Sequence, residues 1–546
     1  MKKILALILC AAMIFGCVAC GKTEEPAPVE TPVVTEEPAA PAEPETPAEP
    51  EAPAEPEVVH IDRNEGMLPF DGSNLFKLSS AEEFAAGEME DVEPVAVGNG
   101  AVKLVDGALE GTYISPEFYC CNFTKMVACW NASIEEGASV EIWARARKET
   151  PDTEEVKWSD WLTWGEYSPF IKRGTTQNKS GIGGYVDEDT FTSASGYLDG
   201  FQMKAVIKRE SADVESPVLR ELTMTFRGGD MVPTYAEETV ELPAQALCAS
   251  PAYSQEIRWS SIADSICSPT TMTVLLNTIN PELDLLPEEY ALNSQDQGES
   301  IFGNWSYCCA FGGCYGYECY CQYGGKDVML QEIAKGHPVG LSVEYDPRRL
   351  TGAWGSTGGH LISIIGYEYE DGIMDDDHLY FFSSDSYSEK DCESYRRYKW
   401  SQMAKLDCSF ICYVLPSDVR EEECVGVKRV ECQVAKGTEA GTYIFTDAEG
   451  NQISLDKCRS GNGCIAYTVE GVGTDMTADT YDSDCSIVYE NAVNATANNT
   501  FTYIKASKDS SFPLDKKEAL KAAGVKNGTI TIYGFTNCGY LYYGEL

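Results

Sequence analysis

A cysteine is a strong nucleophile only as its thiolate, and a helix start supplies the unpaired N–H groups and positive dipole end that stabilise the anion. Cys267 stands directly before Ser268-Pro269-Thr270. Pro269 suits a first helical turn, and Val274, Leu275, Leu276 and Ile279 continue the helix as apolar residues. Among 22 cysteines, no other precedes so clear a helix start. Attack on a carbonyl also needs a base, for which imidazole is best suited, and the chain has four histidines. His60 borders a proline-rich stretch with no scaffold to fix it. His337 lies in the loop Gly336-His337-Pro338, and His378 ends the acidic turn Asp375-Asp376-Asp377. His360 follows Gly358-Gly359, which leave room for a ligand, and opens the apolar run Leu361–Tyr367. Alone, a histidine at a strand start reads as structural. Paired with Cys267 it makes a thiol–imidazole couple for attack on a carbonyl.

The elements that must position this pair lie in residues 245–416. A helix is predicted from Ser268 to Ile279, and a second from Asp327 to Lys335, stopped by Gly336 and Pro338. Apolar strands follow at Val339–Tyr345, Leu361–Tyr367, Leu379–Ser383 and Phe410–Leu415, which gives an α+β domain with helices packed on one sheet. Residues 67–240 are β-rich. Val140, Ile142, Ala144 and Ala146 alternate with polar neighbours, as do Phe201, Met203, Ala205 and Ile207, and Leu222, Met224 and Phe226 repeat the period. This predicts a β-sandwich with one wet face per sheet. Trp158, Trp161 and Trp164 read as sandwich core or strand-edge packing, with a carbohydrate platform as the alternative. Residues 417–546 show short strands, turn signals at Asp447–Gly450 and Asn527-Gly528, and a helix near Leu514–Ala522. With Cys424, Cys432, Cys458, Cys464, Cys485 and Cys538 they predict a small disulfide-braced β-rich domain of unknown role.

The middle region resembles the secreted, stand-alone members of cysteine-peptidase family thirty-nine, relatives of the bacteriocin-processing double-glycine peptidases with a papain-like fold. The matching pieces keep one order. They run from Tyr253-Ser254-Gln255 and Cys267-Ser268-Pro269-Thr270-Thr271 through Gly303-Asn304-Trp305 to Ile333–Val339. Gly358-Gly359-His360, Gly366-Tyr367 and the strand Phe410–Leu415 complete them. The β-rich region before it also looks like an accessory domain found with some of these proteins. The resemblance implies a papain-like cysteine-peptidase domain between an N-terminal β-sandwich and a C-terminal β-rich domain. It implies Cys267 as nucleophile, His360 as general base and then acid, and Gln255 as an oxyanion donor beside the Cys267 N–H. It also implies an aspartate one strand after the histidine. Asp385, in Ser384-Asp385-Ser386, takes that place without the flanking Asn and Pro of the family, and the Gln255-to-Cys267 spacing is longer than usual. No cofactor is called for.

The start of the chain carries an address. Lys2 and Lys3 precede an apolar run from Ile4 to Phe15 and then Val18-Ala19-Cys20-Gly21. The run is too short to span a bilayer, so residues 1–19 read as a signal peptide. Cys20 resembles the lipidated cysteine of a bacterial lipobox, with Cys17 the weaker candidate. From Thr23 to Glu57 come 10 Pro, 11 Glu and no Lys or Arg, a composition with nothing to bury, so residues 20–66 are expected to form an extended stalk. The chain is therefore expected at the extracellular face of a bacterial membrane, where disulfides are permitted.

With 41 Lys+Arg against 87 Asp+Glu, the net charge of −46 excludes a nucleic-acid partner. Cys308, Cys309, Cys314, Cys319 and Cys321 cluster after Trp305. Their spacing lacks a paired zinc pattern, so disulfides bracing a long loop are expected there, with zinc the alternative. The acidic stretch Glu368–Asp377 lacks the alternation of a Ca²⁺ loop and reads as a solvated turn. The sequence thus points to an extracellular, membrane-anchored cysteine peptidase that cleaves a peptide or other amide bond through a thioester, with peptide or protein as substrate. The alternative is an inactive surface binder whose β domains hold a cell-wall polymer or host glycoprotein.

Overall fold

Val140, Ile142, Ala144 and Ala146 share one face of strand Ala138–Thr150 and are fully buried. Phe201, Met203, Ala205 and Ile207 are buried in the same way on its antiparallel partner, Leu198–Arg209. In this computed structural model those strands belong to a seven-stranded antiparallel sheet that faces an eight-stranded one. Aromatic contacts close the layer between them: Phe76 and Phe226 from the larger sheet meet Phe201 of the smaller. The structure describes residues 73–546 except 151–154, most of 229–236, 259–261, 407–410, 415–425, 438–442, 454–463, most of 470–515, and 523–525. The expectations for the signal peptide, Cys20, the stalk and His60 lie outside those residues. Residues 63–546 form one compact unit.

The expectation of a wet face on each sheet holds along strands Ala138–Thr150 and Leu198–Arg209 of the seven-stranded sheet and is corrected for the eight-stranded one. In strand Lys125–Ser133 every residue from Met126 to Ala132 is buried, and so is Leu219–Phe226 of its partner Val218–Arg227. The outer face of this sheet is a docking surface. Helix Trp305–Cys314 and strand Tyr320–Tyr323 cover it, held by Ser306 Oγ donating to the Ala128 carbonyl at 2.6 Å and the Tyr323 N–H donating to Thr225 Oγ1 at 2.9 Å. Asn131 seals the seam: its Nδ2 donates to the Cys319 carbonyl at 3.0 Å and its Oδ1 accepts from the Cys319 N–H at 2.9 Å.

The middle region builds a seven-stranded antiparallel sheet in the order Tyr320–Tyr323, Ile411–Val414, Val339–Tyr345, Thr357–Tyr369, Leu379–Ser384, Tyr395–Lys399, with Gln245–Leu247 pairing the end of Thr357–Tyr369. Helix Cys267–Ile279 packs against Thr357–Tyr369. Helix Lys326–Lys335 ends at Gly336, whose φ of 95° closes the helix in the left-handed region that glycine favours. Both were expected. Helices Pro287–Ser294 and Trp305–Cys314 were not. The second replaces the expected long loop: Cys308, Cys309 and Cys314 lie on it, Cys321 lies on the next strand, and these four and Cys319 are buried and not joined in cystines. Burial on every face removes the periodicity that would have announced that helix. Gly313 lets it dock, since a Cβ there would stand 2.7 Å from Asn131 Cα.

Among the described residues the tail forms a four-stranded sheet and a three-stranded one. Its helix spans Lys516–Ala522. Among the described residues no helix is long and apolar enough to cross a membrane.

Candidate active site

The helix Cys267–Ile279 begins on Cys267 itself, and Ile266 before it offers no side-chain cap, so the first N–H groups are left for the Cys267 sulfur and its surroundings. Strand Thr357–Tyr369 is buried continuously from His360 to Tyr367, and that run fixes the imidazole. Asp385 follows the next strand, Leu379–Ser384, which pairs with Thr357–Tyr369 through Ser363 and Ser384. Three separate elements therefore deliver a thiol, an imidazole and a carboxylate to one end of the sheet.

The geometry is that of a charge-stabilised pair. His360 Nε2 lies 2.8 Å from Asp385 Oδ1, so Nδ1 is the ring nitrogen not engaged by the carboxylate, and the imidazole and the Cys267 thiol are close enough for each to shift the other's titration. His360 is 5% and Asp385 1% exposed, while Cys267 is partly open. Burial alone would lower the basicity of His360. The Asp385 charge and hydrogen bond, with the Cys267 thiolate, outweigh it and push the imidazole up to about 10. Burial likewise raises the Cys267 thiol, but His360 and the N–H groups of Leu361 and Ser268 bring it below its usual value. Asp385 is drawn below the usual carboxylate range against its own burial by His360, Tyr345 and Tyr398. A thiolate–imidazolium pair is the resting state these shifts favour.

Asp385 is held at four points. Its Oδ1 also accepts the Tyr387 N–H at 3.0 Å, and its Oδ2 accepts the hydroxyls of Tyr345 at 2.7 Å and Tyr398 at 2.8 Å. The rings of Tyr345 and Tyr387 stand edge-on to the imidazole, each 6.1 Å away. Trp354, 41% exposed, leans on Tyr387 at 4.8 Å and forms a rim. In front of His360, Gly358 and Gly359 are exposed and a Cβ on either would meet nothing within 4 Å, so the strand's leading end is uncrowded. The three tyrosines were not singled out from sequence. Tyr345 and Tyr398 lie on strands Val339–Tyr345 and Tyr395–Lys399 and Tyr387 in the segment after Asp385, and packing alone would also place aromatic residues there.

Gln255 lies near this group but is not joined to Cys267. Its N–H donates to the Ser386 carbonyl at 2.8 Å, its Oε1 accepts from Ser386 Oγ at 2.7 Å, and its Nε2 donates to the Ala263 carbonyl at 3.0 Å. Gln255 therefore clamps the segment after Asp385 to the one that leads into helix Cys267–Ile279. Two other histidines are tied to acids outside the site, His337 Nδ1 to Glu332 at 2.9 Å and His378 Nδ1 to Asp375 at 2.6 Å. The acidic stretch near His378 is an exposed turn, as expected.

The tryptophans divide. Trp164 is fully buried and its Nε1 donates to the Asp189 carbonyl at 2.6 Å, a core residue as expected. Trp158 and Trp161 lie on the outer face, with the Arg145 guanidinium 4.5 and 5.0 Å from their ring centres. Lys204 sits 4.7 Å from both Trp161 and Trp143. The chain's own cations cover these rings.

Comparison with known proteins matches residues 249–411 to the Peptidase_C39 like family and residues 76–226 to the Peptidase C39 N-terminal domain. No curated protein matches the chain. Among solved structures, TmCBM61 in complex with beta-1,4-galactotriose aligns at 11% identity over 30% of this chain and 97% of that chain, with a TM-score of 0.15. A structure of carbohydrate-binding modules from the β-sandwich superfamily aligns at 15% identity over 28% of this chain and 57% of that one, with a TM-score of 0.13.

Proposed function

From the premise that this chain is a C39-like peptidase-family protein, we propose that it hydrolyses a peptide bond through a thioester on Cys267. The observation that carries the reading is the grouping of thiol, imidazole and carboxylate, with His360 2.8 Å from Asp385 and near enough to Cys267 for the two to shift each other's titration. The order of parts, with the nucleophile opening a helix and the base and its orienting acid on adjacent strands, supports a papain-like arrangement.

The thiolate adds to the scissile carbonyl carbon and the carbonyl π pair moves to oxygen. The Cys267 N–H at the helix start, helped by the remaining N–H of Gln255 Nε2, takes that oxyanion. Collapse re-forms the carbonyl and breaks the C–N bond as His360 gives its proton to the leaving amine. A water then loses a proton to His360 and adds to the thioester, which expels the Cys267 thiolate and restores the ion pair with a free carboxylate product. Asp385 holds the imidazole in orientation and stays ionised throughout. Trp354 and the open strip before His360 supply the wall on which an extended peptide would lie.

We place this activity outside the cell, tethered through a lipid on Cys20 and held off the membrane by the Thr23–Glu57 stalk. The lipobox-like sequence and the Pro/Glu composition support that reading. Incubation of the purified chain with a peptide library tests the chemistry: cleavage should be present in the native protein and lost in Cys267→Ala with circular dichroism unchanged. Undiminished cleavage by Cys267→Ala overturns it. Mass spectrometry of the membrane-extracted N-terminus tests the tether, which predicts a diacylglyceryl group on Cys20.

A further inference from the structure

Three sulfurs converge where the sandwich meets the α+β domain. Cys129 comes from strand Lys125–Ser133, Cys309 from helix Trp305–Cys314 and Cys321 from strand Tyr320–Tyr323. None is more than 1% exposed. Their sulfurs lie within 4.8 Å of one another, and Cys309 and Cys321 are 3.7 Å apart. Ligands about 2.3 Å from a tetrahedral ion stand about 3.8 Å from each other, so this spacing matches a ligand set. Thr223 faces Cys129 across the strand pair and is 1% exposed. Its hydroxyl is buried with no hydrogen-bond partner among the described residues.

We propose that Cys129, Cys309 and Cys321 form a structural site for a thiophilic d¹⁰ cation, Zn²⁺ or Cu⁺, that fastens the sandwich to the α+β domain. Soft thiolates select these ions. Binding releases the three thiol protons to solvent and forms three metal–sulfur bonds with no change of oxidation state. Thr223 Oγ1 is placed to approach a fourth position. The other cysteines of the cluster stay out: Cys308 faces Ser268 Oγ at 3.3 Å, and Cys319 donates to the Cys309 carbonyl at 2.9 Å. No linear spacing could reveal the site, because one ligand comes from the preceding domain.

The test uses the full chain carrying Cys267→Ser, so that the reactive thiol cannot bind metal, purified under reducing conditions and dialysed with Zn²⁺ or with Cu⁺. Elemental analysis should find about one ion per chain in one of the two arms, and X-ray absorption should show about three sulfurs near 2.3 Å. Adding Cys129→Ser should lower retention at least about fivefold, whereas adding Cys314→Ser should leave it unchanged. If Cys129→Ser does not fold, the absorption spectrum of the parent chain decides. Retention in neither arm, a first shell without three sulfurs, or a Cys309–Cys321 or Cys129–Cys309 cystine in non-reducing peptide maps would overturn the proposal.

Discussion

Asp385 shows how one buried carboxylate can set the chemistry of a neighbour. Its Oδ1 takes His360 and the Tyr387 N–H, and its Oδ2 takes two tyrosine hydroxyls. No lone pair needs water, so a 1% exposed charge is tolerated. Unfolded, a histidine titrates near about 6.5, whereas His360 in the fold is pushed up to about 10. The protonated imidazole therefore stabilises the fold fully below about 6.5, and that contribution is lost as the pH rises towards about 10. Activity should follow the same pair: hydrolysis rates hold through neutral pH and fall on an alkaline limb near about 10. Asp385→Asn should move that limb to lower pH and reduce kcat by about 10²–10⁴-fold, as a pH–rate series would show. Tyr398→Phe strips one donor from Oδ2 and should cost about 1–3 kcal/mol in urea unfolding. The pairing of Cys267 with His360 was legible because only four histidines compete and one helix start is unambiguous. Asp385 came from resemblance, and its tyrosine cradle was hidden because nothing in strand alternation says which hydroxyl finds a carboxylate.

At the scale of elements, patterns with a single periodicity were readable. The nucleophile helix, the helix closed by Gly336 and the alternating sandwich strands stand where their residues put them. Helix Trp305–Cys314 was missed because its buried faces point both to its own domain and to strand Lys125–Ser133. Its Gly313 is the point of closest approach, and Gly313→Val should destabilise the protein by about 1–3 kcal/mol through overpacking, read from the denaturation midpoint. The segment before strand Thr357–Tyr369 makes the opposite demand. Trp354 contacts Tyr387 and leaves 41% of its surface to solvent, so Trp354→Ala should raise KM for an extended peptide several-fold and change kcat less.

At the scale of the molecule, the sandwich and the α+β domain share one buried core rather than meeting at a polar seam. Arg173 reaches the Leu292 carbonyl at 2.6 Å, and Tyr167 OH donates to the Asn293 carbonyl at 2.9 Å. Asp296 gathers the Thr175 N–H at 3.1 Å and Asn304 Nδ2 at 3.0 Å. Calorimetry should therefore record one transition for the two domains, because separating them would expose strands that are buried on both faces. The sequence could not disclose this union, since each domain's own alternation describes only its internal sheet. The union also bears on catalysis, because the nucleophile helix packs against helix Trp305–Cys314, the element that docks on the sandwich. The most direct test of the ion pair at the centre of this account is the pH dependence of Cys267 alkylation by iodoacetamide, followed by peptide mass spectrometry. The rate should reach its plateau below the usual thiol range and collapse at neutral pH in His360→Ala. A rate that climbs through about 8.5 as a free thiol's does, unchanged by His360→Ala, would contradict it.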